Sequence, residues 1–380
     1  TTDDGVVFGG FFVLASYREG YEPYKWRAEN VAFASVKSGP HGADFPTQVL
    51  QTTWDLPGLL GGRLRLYPSV RVVRLTGQNF FGVGNDSAAT RSGAEEAGSS
   101  GDPARYFQYS NWSAEARLTG RTPLLEDLHL RAAAEIRYGD VSPYAGSLLA
   151  ASQGVEADDG KGIYGVDPLS SGLLAVGLLW DSRDHETVPE RGGLYEFSLR
   201  AAKGLPASTD VAYVAWTLDV RKYFPFIPGR LSLATRLLAD QILGSAPFYE
   251  LTRAGAFSPL AAPGGLRAIR GVPDGRYAGK VKVVAGAELR SWLWRFHFGE
   301  HRFRLGATAF GDAGRVWSDL PGDPALDGRG LGLKFGVGGG PRLQWGESVV
   351  IRVDVAWSPD ANATNPSLPL GIYFALGAGY

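Results

Sequence analysis

Apolar and polar residues alternate along most of this chain with a period of two, the pattern of strands that carry one apolar and one wet face. The alternation is sharpest after Lys280. There Lys280, Lys282, Glu288 and Arg290 share one face, and Val281, Val283, Ala285, Ala287 and Leu289 share the other. The next segment repeats it, with Phe303, Leu305, Ala307 and Ala309 opposite Arg302, Arg304, Thr308, Phe310 and Asp312. In the first half the clearest hairpin joins 111–121 to 128–138. Glu115, Arg117, Thr119 and Arg121 lie on one of its faces, as do His129, Arg131, Glu135 and Arg137.

Read this way, the chain predicts fifteen strands: 5–17, 26–36, 47–56, 63–75, 111–121, 128–138, 173–184, 194–202, 211–223, 230–243, 280–292, 302–317, 329–342, 349–358 and 371–380. Short and long connections alternate between them. The tight turn PFIPG contrasts with the polar stretches 78–105 and 139–171, and with a Gly- and Pro-rich loop from Phe248 to Gly279 that carries Arg270. Single-chain bacterial barrels have an even number of strands, so one further strand is expected.

A soluble sandwich also alternates, so the polar face has to decide. It carries close sets of opposite charge: Glu115/Arg117, Glu135/Arg137, Asp181/Arg183, Glu196/Arg200, Asp219/Arg221, Glu288/Arg290 and Arg352/Asp354. Arginine-rich, mixed-sign rows suit an enclosed lumen whose side chains satisfy one another. A solvated sandwich face is the competing reading. Unpaired backbone groups in hydrocarbon cost several kcal/mol each, so a sheet in lipid has to close and its first and last strands have to meet. Gly9, Gly10, Gly377 and Gly379 near the two ends would suit a loose seam.

Composition fits this picture. No run of about 18 apolar residues exists to form a spanning helix, but a spanning strand needs only about 9–11 residues. The 52 glycines and 12% aromatic content suit a twisted sheet with aromatic girdles. The chain has no cysteine, which excludes disulfides and thiolate metal sites, and its net charge of -1 argues against nucleic acid as a partner. Residue 1 is Thr, so an export signal is neither shown nor excluded. The expectation is a single all-β domain over 1–380, a transmembrane antiparallel β-barrel.

Two linked motifs resemble those of the BamA/TamA superfamily of outer-membrane barrels. The loop tip reads Ile269-Arg270-Gly271-Val272, close to the V-R-G-[FY] of the family's sixth extracellular loop but without its aromatic. The strand Phe310-Gly311-Asp312-Ala313-Gly314 matches F-x-D-x-G. Three further phrases carry the resemblance: Phe80-Phe81-Gly82-Val83-Gly84-Asn85, the turn with Asp181, Arg183, Asp184, Pro189 and Gly192, and the alternating end with Phe374, Leu376 and Tyr380. The last is similar to the aromatic-terminated assembly signal of such barrels.

The resemblance implies sixteen strands, five of them after the loop, which puts the unread strand before Leu173, and a loop folded into the lumen where Arg270 meets Asp312 and Glu288 and Arg290 extend the network. It also implies the bacterial outer membrane, insertion or translocation of polypeptides, and no covalent chemistry or cofactor. The implied partners are outer-membrane lipids including lipopolysaccharide, a periplasmic accessory protein and unfolded polypeptide clients. No stretch resembles the family's periplasmic POTRA modules. The alternatives are a passive pore or lipid-handling channel, and a barrel that hydrolyses lipid or anchors a partner enzyme. For Arg270 the competing reading is a solvated turn, with Asp312 paired to a neighbour such as Arg304.

Other candidates are weaker. His297 and His301 lie in a turn rather than on a helix, which argues against zinc. His129 faces the lumen without a serine nucleophile in recognisable context, so a lumen hydrogen bond is its expected role. Asp319, Asp323 and Asp327 fit no calcium-loop spacing. The run GVGGGP at 336–341 lacks the residues of a phosphate loop.

Overall fold

A computed structural model describes residues 6–18, 24–39, 42–88, 105–153, 163–206, 209–346, 349–361 and 369–376. The first strands are β1 (Val6–Ser16), β2 (Trp26–Gly39), β3 (Gly42–Asp44), β4 (Thr47–Leu59) and β5 (Leu64–Asn79). They are followed by β6 (Gln108–Pro123), β7 (Leu128–Pro143), β8 (Leu169–Asp181), β9 (Gly192–Leu205), β10 (Ala212–Ile227) and β11 (Leu231–Ser245). The long loop holds a two-stranded ribbon, β12 (Arg253–Ala254) and β13 (Leu260–Ala261). After it come β14 (Val281–Phe298), β15 (His301–Trp317), β16 (Lys334–Trp345), β17 (Val349–Trp357) and β18 (Leu370–Leu376).

Leaving the ribbon aside, sixteen strands form one antiparallel sheet. Apart from β3, each strand neighbours the next in the chain, and β14 follows β11 directly across the long loop. The strand beyond the fifteen read from sequence is β3, and it does precede Leu173. It pairs with β2 at Lys37–Asp44, beyond the β2–β4 ladder that ends at Ala34–Gln48. Thus β3 and β4 share one place in the order, parted by Phe45 and Pro46.

Fifteen places alternate in direction, so the two edge strands, β1 and β18, run the same way. Among the described residues no ladder joins them. A direct ladder between them would be parallel, whereas one strand laid between them could be antiparallel to both.

The connections sort to two ends. One end has the tight turns, such as 124–127, 228–230 and 299–300; the other has 80–107, 144–168, 246–280 and 318–333. Outward faces are apolar: Ile136, Leu174, Val214 and Leu243 are all exposed. Exposed Trp112, Tyr138 and Trp357 lie toward the long-loop end, and Trp180, Trp294 and Trp345 toward the short-turn end. An apolar band between two aromatic girdles is the surface of a barrel in lipid.

The inward face is more apolar than charge alone suggests. Leu238, Ile242, Val284 and Val316 point inward and are buried, and the long loop packs on them.

Candidate functional site

The long loop leaves β11, turns at Phe248–Glu250, makes its ribbon, and places residues 269–272 against the inner wall. Ile269, Arg270 and Val272 are fully buried there. A buried guanidinium needs every donor engaged, or its desolvation goes uncompensated. At Arg270 each guanidinium nitrogen finds a carboxylate. Its Nε and Nη2 donate to the two oxygens of Asp312 at 2.7 and 3.0 Å, and its backbone N–H donates to the same carboxylate at 3.2 Å. Its Nη1 donates to Glu288 at 2.6 Å and lies 3.7 Å from Asp354. The Phe310 ring lies beneath the guanidinium, 3.4 Å away. Planar, forked and always charged, arginine fits this site where lysine would not.

The wall is shaped to receive the tip. A Cβ at Gly336 would lie 1.8 Å from the carbonyl oxygen of Arg270, and one at Gly314 would lie 3.0 Å from Ile269 Cδ1. A Cβ at Gly338 would strike the Phe310 ring at 2.7 Å. Gly271 has φ 96°, in the left-handed region, and its N–H donates to the Tyr373 hydroxyl at 2.9 Å. The tip therefore touches β14, β15, β16, β17 and β18.

Around this contact Arg290 pairs with Glu288 at 2.7 Å and Arg352 with Asp354 at 3.1 Å. Arg342 lies 3.9 Å from Glu288. The structure thus brings Arg270, Gly271, Glu288, Arg290, Phe310, Asp312 and Gly314 into one cluster. Arg304 turns instead to Glu190 of a short turn, at 3.3 Å.

Of the terminal signal, Phe374 is exposed on the outward face, Leu376 ends β18, and Tyr380 lies outside the described residues, as do Gly377 and Gly379. Gly9 is packed tightly, since a Cβ there would lie 2.2 Å from Ala32 O, whereas Gly10 has open space.

A second clamp holds the loop's exit. Gly84 and Ala278 form an antiparallel bridge, and Asn85 donates to Gly332 O at 2.8 Å. Arg276 donates to the Ser87 hydroxyl and carbonyl at 2.9 and 2.7 Å. A third contact holds the entry. Glu250 accepts from Arg137 at 3.0 Å and from Arg253 at 3.1 Å. Burial opposes ionisation of Glu250, but Arg253 and Arg137 outweigh it and hold its carboxyl below the usual range.

The charge sets read from sequence partly regroup. Asp181/Arg183 and Asp219/Arg221 pair within their own stretches. Arg200 turns to Asp240, Glu135 takes Arg117, and Glu196 takes Arg131. His129 departs from expectation: its Nδ1 has no hydrogen-bond partner among the described residues. The three loop aspartates have separate structural roles. Asp319 pairs with Lys280, Asp323 caps a short helix, and Asp327 accepts from Ser318.

Sequence reasoning set Asp354 beside Arg352 but not beside Arg270, and it missed Tyr373 and the glycine recess. The signal for the recess was present: glycines at 336, 338 and 340 alternate along one face of a strand, which marks close approach of another backbone.

A family model described as the Omp85 superfamily domain matches residues 97–379. No curated protein matches the chain. Among solved structures, it is similar to BamA from Haemophilus ducreyi lacking POTRA domains 1–3. The identity is 14% over 99% of this chain and 70% of that one, with a TM-score of 0.53. It is also similar to CdiB from Escherichia coli, at 12% identity over 97% of this chain and 67% of that one, with a TM-score of 0.52. At these identities the likeness is one of fold.

Proposed function

The chain belongs to the Omp85 superfamily of integral outer-membrane barrels of Gram-negative bacteria, and from that premise we propose that it inserts or translocates polypeptides without covalent chemistry of its own. The observation that carries this reading is the pair of edge strands. With β1 and β18 running the same way and unpaired among the described residues, one strand added between them would be antiparallel to each. Strand addition at an open edge supplies backbone hydrogen bonds without any prior chemistry. The locked loop supports the same reading, because it ties β14 to β18 into one body and leaves β1 outside it. Unfolded polypeptides are the proposed clients, with a periplasmic accessory protein to deliver them.

The test is client folding. Vesicles carrying the purified barrel should fold an added outer-membrane protein faster than empty vesicles, and a photo-crosslinking residue at Phe12 of β1 should capture that client. Equal folding rates with and without the barrel would refute the proposal.

One observation favours a second reading, a passive pore. Beside the loop the lumen keeps a cavity of about 1380 Å³, lined by Arg71, Arg121, Arg131 and Arg221 among others. Single-channel recording separates the two. Large steady openings favour the pore, and small flickering ones the plugged barrel.

A further inference from the structure

On the lipid-facing surface, β4 to β9 line an open groove of about 860 Å³. Its residues lie on two neighbouring ladder rows. Val70, Ala116, Ile136, Gly172 and Lys203 are successive cross-strand partners in the first, and Pro68, Leu118, Ala134, Leu174 and Ala201 in the second. Val70, Leu118, Ile136 and Leu174 stand out as walls, all strongly exposed, while the alanines and Gly172 leave the floor low. Nothing in the fold requires glycine at 172, because a Cβ there would meet only Leu205 Cδ1 at an ordinary 3.9 Å.

Lys203 closes one end of the first row. It is exposed and lies two residues before the outer end of β9 at Leu205. The row reaches Thr52 of β4 at its other end, five residues inside that strand. The groove therefore runs from the outer rim down the wall. A charge on the lipid face is tolerated only near the interface, where a lysine can extend its ammonium toward headgroups. An apolar channel with one cation at its rim matches a hydrocarbon tail with one anion at its head.

We propose that this groove holds an acyl chain of an anionic outer-leaflet lipid, with the lipid phosphate at Lys203. The site is independent of the transport reading, since it lies on the opposite surface from the locked loop.

The experiment is native mass spectrometry of the delipidated barrel, titrated with phosphatidylglycerol and with phosphatidylcholine of the same chains. Phosphatidylglycerol should bind more tightly. Lys203→Gln should weaken it about fivefold, the effect of one surface cation on an anionic headgroup, and leave phosphatidylcholine unchanged. Gly172→Leu, which fills the floor, should weaken both lipids about tenfold, because several methylenes lose their contact. Lys222→Gln, also on the outward face but away from the groove, should alter neither. Heat-modifiable migration on gels checks that each variant is folded. Equal binding of both lipids to wild type, or no loss with Gly172→Leu, would overturn the proposal.

Discussion

The wall beneath the loop and the wall across from it share one architecture and differ in what covers them. Under the loop, Asp240, Lys282 and Glu288 are at most 1% exposed, and each meets an opposite charge within 3.3 Å. Across the lumen, Arg71 of β5 is exposed to the cavity, and nearly every residue of β1 is exposed on both faces. The same alternating sequence pattern thus gives a packed ionic core in one place and a wetted lining in the other. What differs is the partner. The loop brings Arg270, Ile269 and Val272 to β14–β18 and nothing comparable to β1–β5. Burial then turns the charges under the loop into interactions that cannot be removed singly without leaving an uncompensated ion.

That contrast is broken most severely at Arg270. Arg270→Ala leaves Asp312 and Glu288 buried without their main cation, and should cost about 3–5 kcal/mol. The loop should become protease-sensitive and the folded band should be lost at lower temperature. Arg71→Ala, in the opposite wall, is the paired control. Equal heat stability and protease resistance in the two variants would mean that the loop's cover does not set the difference.

Next in size is the recess. Gly336→Val places a branched side chain where the Arg270 carbonyl lies 1.8 Å from the added Cβ. The tip has to move, at about 1–3 kcal/mol. Gly311→Ala is a sharp comparison on the adjacent strand, since its Cβ would find its nearest neighbour, Val337, at 4.0 Å. Differential scanning in detergent should show a lowered melting temperature for the first and little change for the second.

How much of this could be read from the chain follows the same divide. Alternation located the strands, and the two motifs found Arg270 and Asp312, because a tip and a strand each keep a local phrase. The partners of the remaining charges were not legible. Glu196 and Arg200 lie four apart on one strand face, yet they bind Arg131 and Asp240. Alternation tells which face a residue takes, while cross-strand register and the loop decide whom it meets. Leu238, Ile242 and Val284 follow the same rule: they are inward apolar residues whose partners come from the loop. Tyr373 was missed because a hydroxyl that accepts one backbone N–H leaves no trace in spacing. Its removal in Tyr373→Phe should cost about 1 kcal/mol, read as a small drop in melting temperature.

The smallest effect lies at the loop's entry, where the two walls meet. Glu250 joins Arg137 of β7 to Arg253 of the ribbon. Its carboxyl is held below the usual range, so the folded state binds its proton less readily than the unfolded chain does. The stability it contributes is therefore complete above the unfolded value of about 4.3 and is lost as pH falls through the lower folded value. Other carboxylates protonate over the same range, so the wild-type curve alone does not isolate this contact. The difference between wild type and Glu250→Gln does. It should be up to about 1 kcal/mol near pH 6 and shrink steadily as pH falls below the unfolded value of about 4.3. A difference that stays constant across that range would show that Glu250 acts through its shape and not its charge. The loop's entry would then resemble the apolar contacts at its tip more than the ionic ones.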